Sequence, residues 1–113
     1  MDLQENLPLT EATFFILLSL ATSPRHGYAI MKEVKMLSES RVTLSTGTLY
    51  GAIKRMLDQG WIMRIDDPTG HENNRERKAY TLTQYGRQIL NAEVERLGKL
   101  VQLAQFRLAR KEV

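Results

Sequence analysis

Apolar residues crowd positions 14 to 21 (FFILLSLA) and are spaced out everywhere after that. Residues 9 to 22, LTEATFFILLSLAT, predict a first helix, with Thr10 as N-cap and Glu11 in its first turn. Because it is apolar nearly all round, it is expected to be the central buried helix. SPRHG then breaks the pattern. Residues 27 to 38 predict a second helix, with Tyr28, Ile30, Met31, Val34 and Leu37 on the apolar side and Lys32, Glu33 and Lys35 on the wet side. In RVTL (41–44), Val42 and Leu44 alternate inward, as in a very short strand.

Ser45 is a good N-cap for a third helix running to about Gln59, with Gly60 placed to terminate it. At about 100° per residue, Leu49, Ala52, Ile53, Met56 and Leu57 share one side. Gly47, Gly51, Lys54 and Asp58 fall opposite, with Tyr50 and Arg55 on the flanks. WIMRID (61–66) and KAYTLT (78–83) have strand composition, and the DPTGHENNRER between them is rich in turn formers, so they form an antiparallel hairpin. Thr83 caps a last helix reaching about residue 110, roughly 40 Å long. This order predicts a mainly α chain with a small β-hairpin: a winged helix-turn-helix over 1–83, followed by a long C-terminal helix over 84–113.

Glycine weakens a helix interior by about 1 kcal/mol relative to alanine, so two on one side of the third helix ask for a reason. Close approach of another molecule supplies one. A recognition helix enters the DNA major groove with its N-terminal residues toward the base edges, and small residues let its backbone sit deep. Hydroxyls and the helix N-terminus suit phosphate, and cations suit phosphate or guanine. The candidate DNA contacts are Ser45, Thr46, Gly47, Thr48, Tyr50, Lys54 and Arg55 on the helix, with Arg75, Arg77 and Lys78 on the hairpin arm. Asp66, Asp67, Glu72 and Glu76 dilute that charge, so modest non-specific affinity with strong salt dependence is expected. The competing class is a winged-helix protein-interaction module without specific DNA binding, which would expose apolar residues on this side of the helix.

These same stretches carry a resemblance. GTLYGAIKRMLDQGWI followed by RKAYTLTQYG, with HGYAIMKEV upstream, resembles the PadR family of bacterial transcriptional regulators over residues 9 to 90. The resemblance implies a winged-helix repressor that binds operator DNA as a homodimer, with Tyr50 and its helix neighbours facing DNA and a basic wing beside them. The short C-terminal part is similar to the small subfamily with a single terminal helix. Two departures stand out. Gly51 occupies a position where many members carry proline. Some members hold flat aromatic drugs between tryptophans of the last helix; here that helix has no Trp and Leu97 lies in the comparable region.

Along the last helix Leu90, Val94, Leu97, Val101, Ala104 and Leu108 follow alternating steps of four and three, a heptad seam. Leu100, Leu103 and Phe106 add a second apolar side. One side is expected to pack on the first helix and the other on a second copy in a two-fold dimer, the alternative being a helix folded back on its own domain. A dimer would set two recognition helices for half-sites about 34 Å apart. Gly98 suggests a close helix crossing.

Composition narrows what else the chain could do. Its 113 residues suit one domain with an appended element; 42% hydrophobic residues suffice for a core, and a net charge of +3 permits an anionic partner without demanding one. With no cysteine, disulfides and thiolate chemistry are excluded, which suits a reducing cytoplasm. His26 and His71 are too far apart in sequence to begin a metal site, Ser45 has no evident base, and no phosphate-cradling glycine loop follows a strand. No cofactor and no enzymatic activity are expected. The apolar run is shorter than the roughly 20 residues a bilayer requires, and MDLQEN is acidic where a secretory signal is basic, so neither membrane partner nor targeting segment is read. Trp61 is expected in the core; a lesser role would be to wall a pocket for a small hydrophobic or aromatic effector with Phe15, Leu100 and Leu103. The expectation is a cytoplasmic homodimeric repressor of a near-palindromic operator, relieved by an effector the sequence does not identify.

Overall fold

The computed structural model describes residues 3–66 and 78–110. After a 3₁₀ turn at Leu3–Asn6, helix α1 spans Glu11–Ser19. Thr10 caps it, its hydroxyl oxygen accepting from the Thr13 N–H at 3.1 Å. The helix stops short of the expected residue 22 because Leu20 and Ala21 donate to the carbonyls three residues back, at 3.0 and 3.1 Å. The freed carbonyls are taken from outside: Arg25 Nε donates to Ser19 O at 2.6 Å and Arg87 Nη2 to Ala21 O at 3.0 Å.

Helix α2 is Gly27–Leu37, with Ile30 and Val34 wholly buried. Tyr28 was expected inward with them but is 70% exposed. Two residues of helix separate it from Ile30 by about 200°, which carries it to the opposite side. Its ring lies 5.5 Å beneath the Lys32 ammonium. Leu37, at the fraying end, is also exposed.

The strand expected at 41–44 is a loop. Glu39 and Ser40 take left-handed φ values of 53° and 69°, and the Val42 N–H donates to Ser38 Oγ at 3.0 Å instead of to a neighbouring strand. The inward alternation was still meaningful, since Leu44 is buried and Val42 half-buried against the core. The third strand comes from a stretch that reads as a turn. Arg25–His26 (β1) pairs antiparallel with β3 (Lys78–Leu82), Arg25 opposite Tyr80 and His26 opposite Ala79. On its other edge β3 pairs with β2 (Ile62–Asp66), from Ile62 opposite Leu82 to Asp66 opposite Lys78. The sheet order is β1-β3-β2.

Helix α3 is Thr46–Gln59, closed by Gly60 at φ 79°. With α2 it forms a helix-turn-helix, and the β2–β3 hairpin behind it is the wing. The fold is a winged helix-turn-helix extended by α4, Gln84–Ala109. The core gathers Ile16 and Leu17 from α1, Ile30 and Val34 from α2, Leu49, Ile53 and Met56 from α3, Trp61 just ahead of β2, Ile62 and Tyr80 from the sheet, and Ile89 and Leu90 from α4.

Two devices lock α4 to this core. Thr83 is its N-cap: the hydroxyl oxygen accepts from Gly86 N–H at 2.9 Å and donates to Gly60 O at 2.6 Å. Gly86 lets the first turn of α4 press on the chain, since a Cβ there would overlap the Trp61 carbonyl oxygen. Farther along, Glu93 is 2% exposed. It accepts from Arg96 Nε at 2.6 Å and Nη2 at 3.0 Å, and from the Leu9 N–H at 3.0 Å, just ahead of α1. The Arg96 hydrogen bonds hold its carboxyl below the usual carboxylate range; burial opposes them and Leu9 assists.

The second half of α4 leaves the domain. Every residue from Gly98 to Arg110 is exposed, and the molecule measures 69 × 34 × 23 Å. This corrects two expectations. Leu90 belongs to the chain's own core, so the uncovered seam starts at Val94. Only the N-terminal half of α4 packs on its own domain, leaving both apolar sides of the distal half bare. A Cβ at Gly98 would meet nothing within 4 Å in the single chain.

Candidate nucleic-acid interface

The exposed side of α3 is built from its cap outward. Ser45 sits in extended conformation, its oxygen accepting from the Thr48 N–H at 3.1 Å while its hydroxyl donates to Thr48 Oγ1 at 2.9 Å. Ser45, Thr46, Gly47 and Thr48 are all exposed, whereas Leu49, Ala52, Ile53 and Met56 are buried. The structure therefore places the polar and apolar sides of this helix as the periodicity predicts. A Cβ on Gly47 would meet nothing within 4 Å, and one on Gly51 would find only Arg55 Nη1, at 3.8 Å. Fold packing requires neither glycine. Together they leave a strip of nearly bare backbone next to the hydroxyls.

Lys54 is exposed on the same side and lies 3.8 Å from Asp58, one turn on. Both ends of that pair are well solvated, so it holds the ammonium only weakly. Arg55 departs from the group. It borders a depression between α3 and the start of α1, with Pro8, Thr13 and Trp61. Lys78 is half-buried at the root of the wing, its carbonyl 3.2 Å from His26 Nδ1. Arg75 and Arg77 lie outside the described residues. The helix candidates are thus all exposed on α3, with Arg55 between Gly51 and the depression beside α1.

The suggested effector wall does not come together within one chain. Trp61 is 5% exposed and part of the core. Phe15 borders a different depression, with Glu11, Leu37 and Arg41. Leu100 and Leu103 stand on the projecting half of α4, roughly 20 Å along the helix from the turn that touches Trp61. Among the described residues no group of three or more His, Cys, Asp or Glu side chains is placed to hold a metal, and no helix is long and apolar enough to cross a membrane.

Two features here escaped the sequence reading. Gly27 reads there only as the start of α2, yet it lies against Tyr50 of α3. Tyr28 reads as core. For Tyr28 the available signal was its offset of about 200° from Ile30; the Gly27–Tyr50 contact leaves none in the local sequence.

Comparison with known proteins agrees with this architecture. A PadR family transcription regulator from Clostridium difficile R20291 superimposes with a TM-score of 0.71 at 24% identity, over 88% of this chain and 100% of that one. Bacillus subtilis PadR, solved in complex with operator DNA, gives a TM-score of 0.63 at 24% identity, over 94% of this chain and 51% of that one. An uncharacterised 37.1 kDa protein of transposon TN4556 from Streptomyces fradiae is 32% identical over 90 residues, 80% of this chain. This chain spans only 24% of the length of that protein. The model of the transcriptional regulator PadR-like family matches residues 16–92, from α1 through the buried half of α4. The chain belongs to the PadR-like family of transcriptional regulators.

Proposed function

We propose that this protein is a DNA-binding transcriptional repressor acting as a homodimer on a near-palindromic operator. The observation that carries the proposal is the strip on α3: four small exposed residues from Ser45 to Thr48, open space above Gly47, only Arg55 Nη1 near Gly51, and Lys54 one turn beyond Gly51. Groove entry with backbone close to the base edges needs that relief. The exposed side is polar, which favours DNA over a protein partner. Ser45, Thr46, Gly47 and Thr48 lie deepest in the groove, and Lys54 holds phosphate or guanine beside them. Arg75, Arg77 and Lys78 of the wing meet the flanking backbone, and Tyr50 and Arg55 border the contact.

The bare half of α4 supports the dimer. Val94, Leu97, Val101, Ala104 and Leu108 continue the heptad spacing, while Leu100, Leu103 and Phe106 flank it. Apolar stripes of this length on a small domain require cover. Residues 1–83 would then act as the reading head and 84–113 as the dimerising element. Repression follows from steric exclusion at the promoter. Its relief requires an effector that binds the DNA-incompetent state better, at a site completed between protomers, because Trp61 lies roughly 20 Å along α4 from Leu100 and Leu103 within one chain.

Selection of bound duplexes from random DNA tests this directly. A palindromic consensus with half-sites about one helical turn apart is expected. No enrichment over the input pool would refute it.

A further inference from the structure

The end of the Tyr50 side chain rests on the first residue of α2. A Cβ on Gly27 would overlap the Tyr50 hydroxyl and lie 2.7 Å from Cζ and 3.2 Å from Cε1. Contacts that short are not tolerated between real atoms, so only glycine leaves room for the ring where it stands. Gly27 is buried and helical, at a position where conformation does not call for glycine. Tyr50 is 45% exposed, one edge against α2 and the other open.

The N-terminal half of α3 has unusual need of such a contact. Gly47 and Gly51 lie on its open side, and glycine leaves the backbone freer than any other residue does. Leu49, Ala52 and Ile53 hold it from below only. The Tyr50 ring is the lateral stop between this half of α3 and α2.

We propose that Tyr50 is a positioning residue, a wedge whose seat is Gly27, and that it fixes where the α3 strip stands relative to α2 when DNA is engaged. This rests on the proposed DNA interface. It differs from a base-reading role, in which the Tyr50 hydroxyl would bond DNA and Gly27 would not matter.

The test is a four-member cycle, wild type, Gly27→Ala, Tyr50→Ala and the double variant, with Tyr50→Phe beside it. Fluorescence anisotropy reads binding to the selected operator and to an unrelated duplex, and thermal unfolding is followed in parallel. Because the clashing atoms are the far end of a rotatable side chain, Gly27→Ala folds and displaces the ring. Its operator affinity falls about tenfold, while affinity for the unrelated duplex stays unchanged. Tyr50→Phe keeps the ring and loses markedly less operator affinity than Tyr50→Ala. In the Tyr50→Ala background, Gly27→Ala costs nothing further. Wild-type affinity in Gly27→Ala, additive losses in the double variant, or a Tyr50→Phe loss as large as that of Tyr50→Ala would each overturn the wedge. If the wild type binds no duplex, the DNA interface fails and the unfolding data judge the wedge alone. Gly27→Ala then lowers Tm only where Tyr50 is present, and an equal drop in both backgrounds overturns it.

Discussion

Glu93→Gln tests how α4 is held to the winged-helix domain. The carboxylate lies almost entirely out of water and accepts three hydrogen bonds, two from Arg96 and one from the Leu9 N–H. The amide keeps the shape and one acceptor oxygen but loses the charge and one side of the bidentate pair. Hydrogen bonds to a charged group are each worth about 1.5–3 kcal/mol. Arg96 is partly exposed and regains water when released, so its share is discounted, and the Leu9 N–H keeps the amide oxygen as partner. The net loss expected is about 2 kcal/mol, which for a domain of this size lowers Tm by roughly 10 °C. The pH dependence is more diagnostic. Arg96 pulls the folded pKa of Glu93 below its ordinary 4.5, so the stabilisation is fully present above that value and disappears as pH falls through the lower folded pKa. Unfolding followed by circular dichroism at fixed protein concentration reads both. The gap between wild type and Glu93→Gln should be constant from neutral pH down to about 5 and close in more acid buffer. Equal Tm values at neutral pH, or a gap that persists in acid, would refute the assignment of Glu93 as a charged clamp.

Other expectations follow from single contacts. Gly86→Ala sets a methyl against the Trp61 carbonyl, a backbone atom that cannot swing away, and should cost about 3 kcal/mol or more in urea unfolding. Ser45→Ala removes the α3 cap at a cost of about 1 kcal/mol, and an unchanged urea midpoint would show that the cap contributes nothing. Lys54→Ala should weaken operator binding, whereas Arg77→Ala should weaken specific and unrelated duplexes alike and reduce the salt slope by about 1; anisotropy titrations over a salt series separate the two. Val101→Glu should leave a folded monomer in analytical ultracentrifugation at micromolar concentration, and a dimer surviving that change would exclude the heptad face as the interface.

Much of this was legible because helical periodicity and caps are local. Thr10, Ser45 and Thr83 each precede the helix they cap, and the Leu49–Ile53–Met56 stripe reports the buried side of α3 wherever that helix packs. The misread stretches depend on distant partners. Arg25 and His26 form a strand only because β3 offers a free edge, some 50 residues away in sequence. RVTL has strand spacing, but Ser38 takes its amide first. Leu90 fits the heptad as well as Val94 does, and only the three-dimensional fold shows that the domain has already covered it. The Gly27–Tyr50 contact joins two helices and has no local pattern.

Thr83 turns the molecule into a lever. Its hydroxyl ties the carbonyl that ends α3 to the first turn of α4, so α3 and the projecting helix share a fulcrum. The arms are unequal: the 26 residues of α4 extend roughly 39 Å and the 14 of α3 roughly 21 Å. Ile89, Leu90 and Glu93 bind the near half of α4 to the core that also holds α3, so a rigid α4 turns only together with the domain, and a turn about the Thr83 end that carries its tip through about 6 Å moves the Ser45 end of α3 by about 3 Å. A displacement of that size is a full hydrogen-bond length, enough to take a side chain from one base edge to none. In the proposed dimer, small changes in how two α4 helices cross would therefore arrive at the DNA geared down, yet still above the tolerance of base recognition.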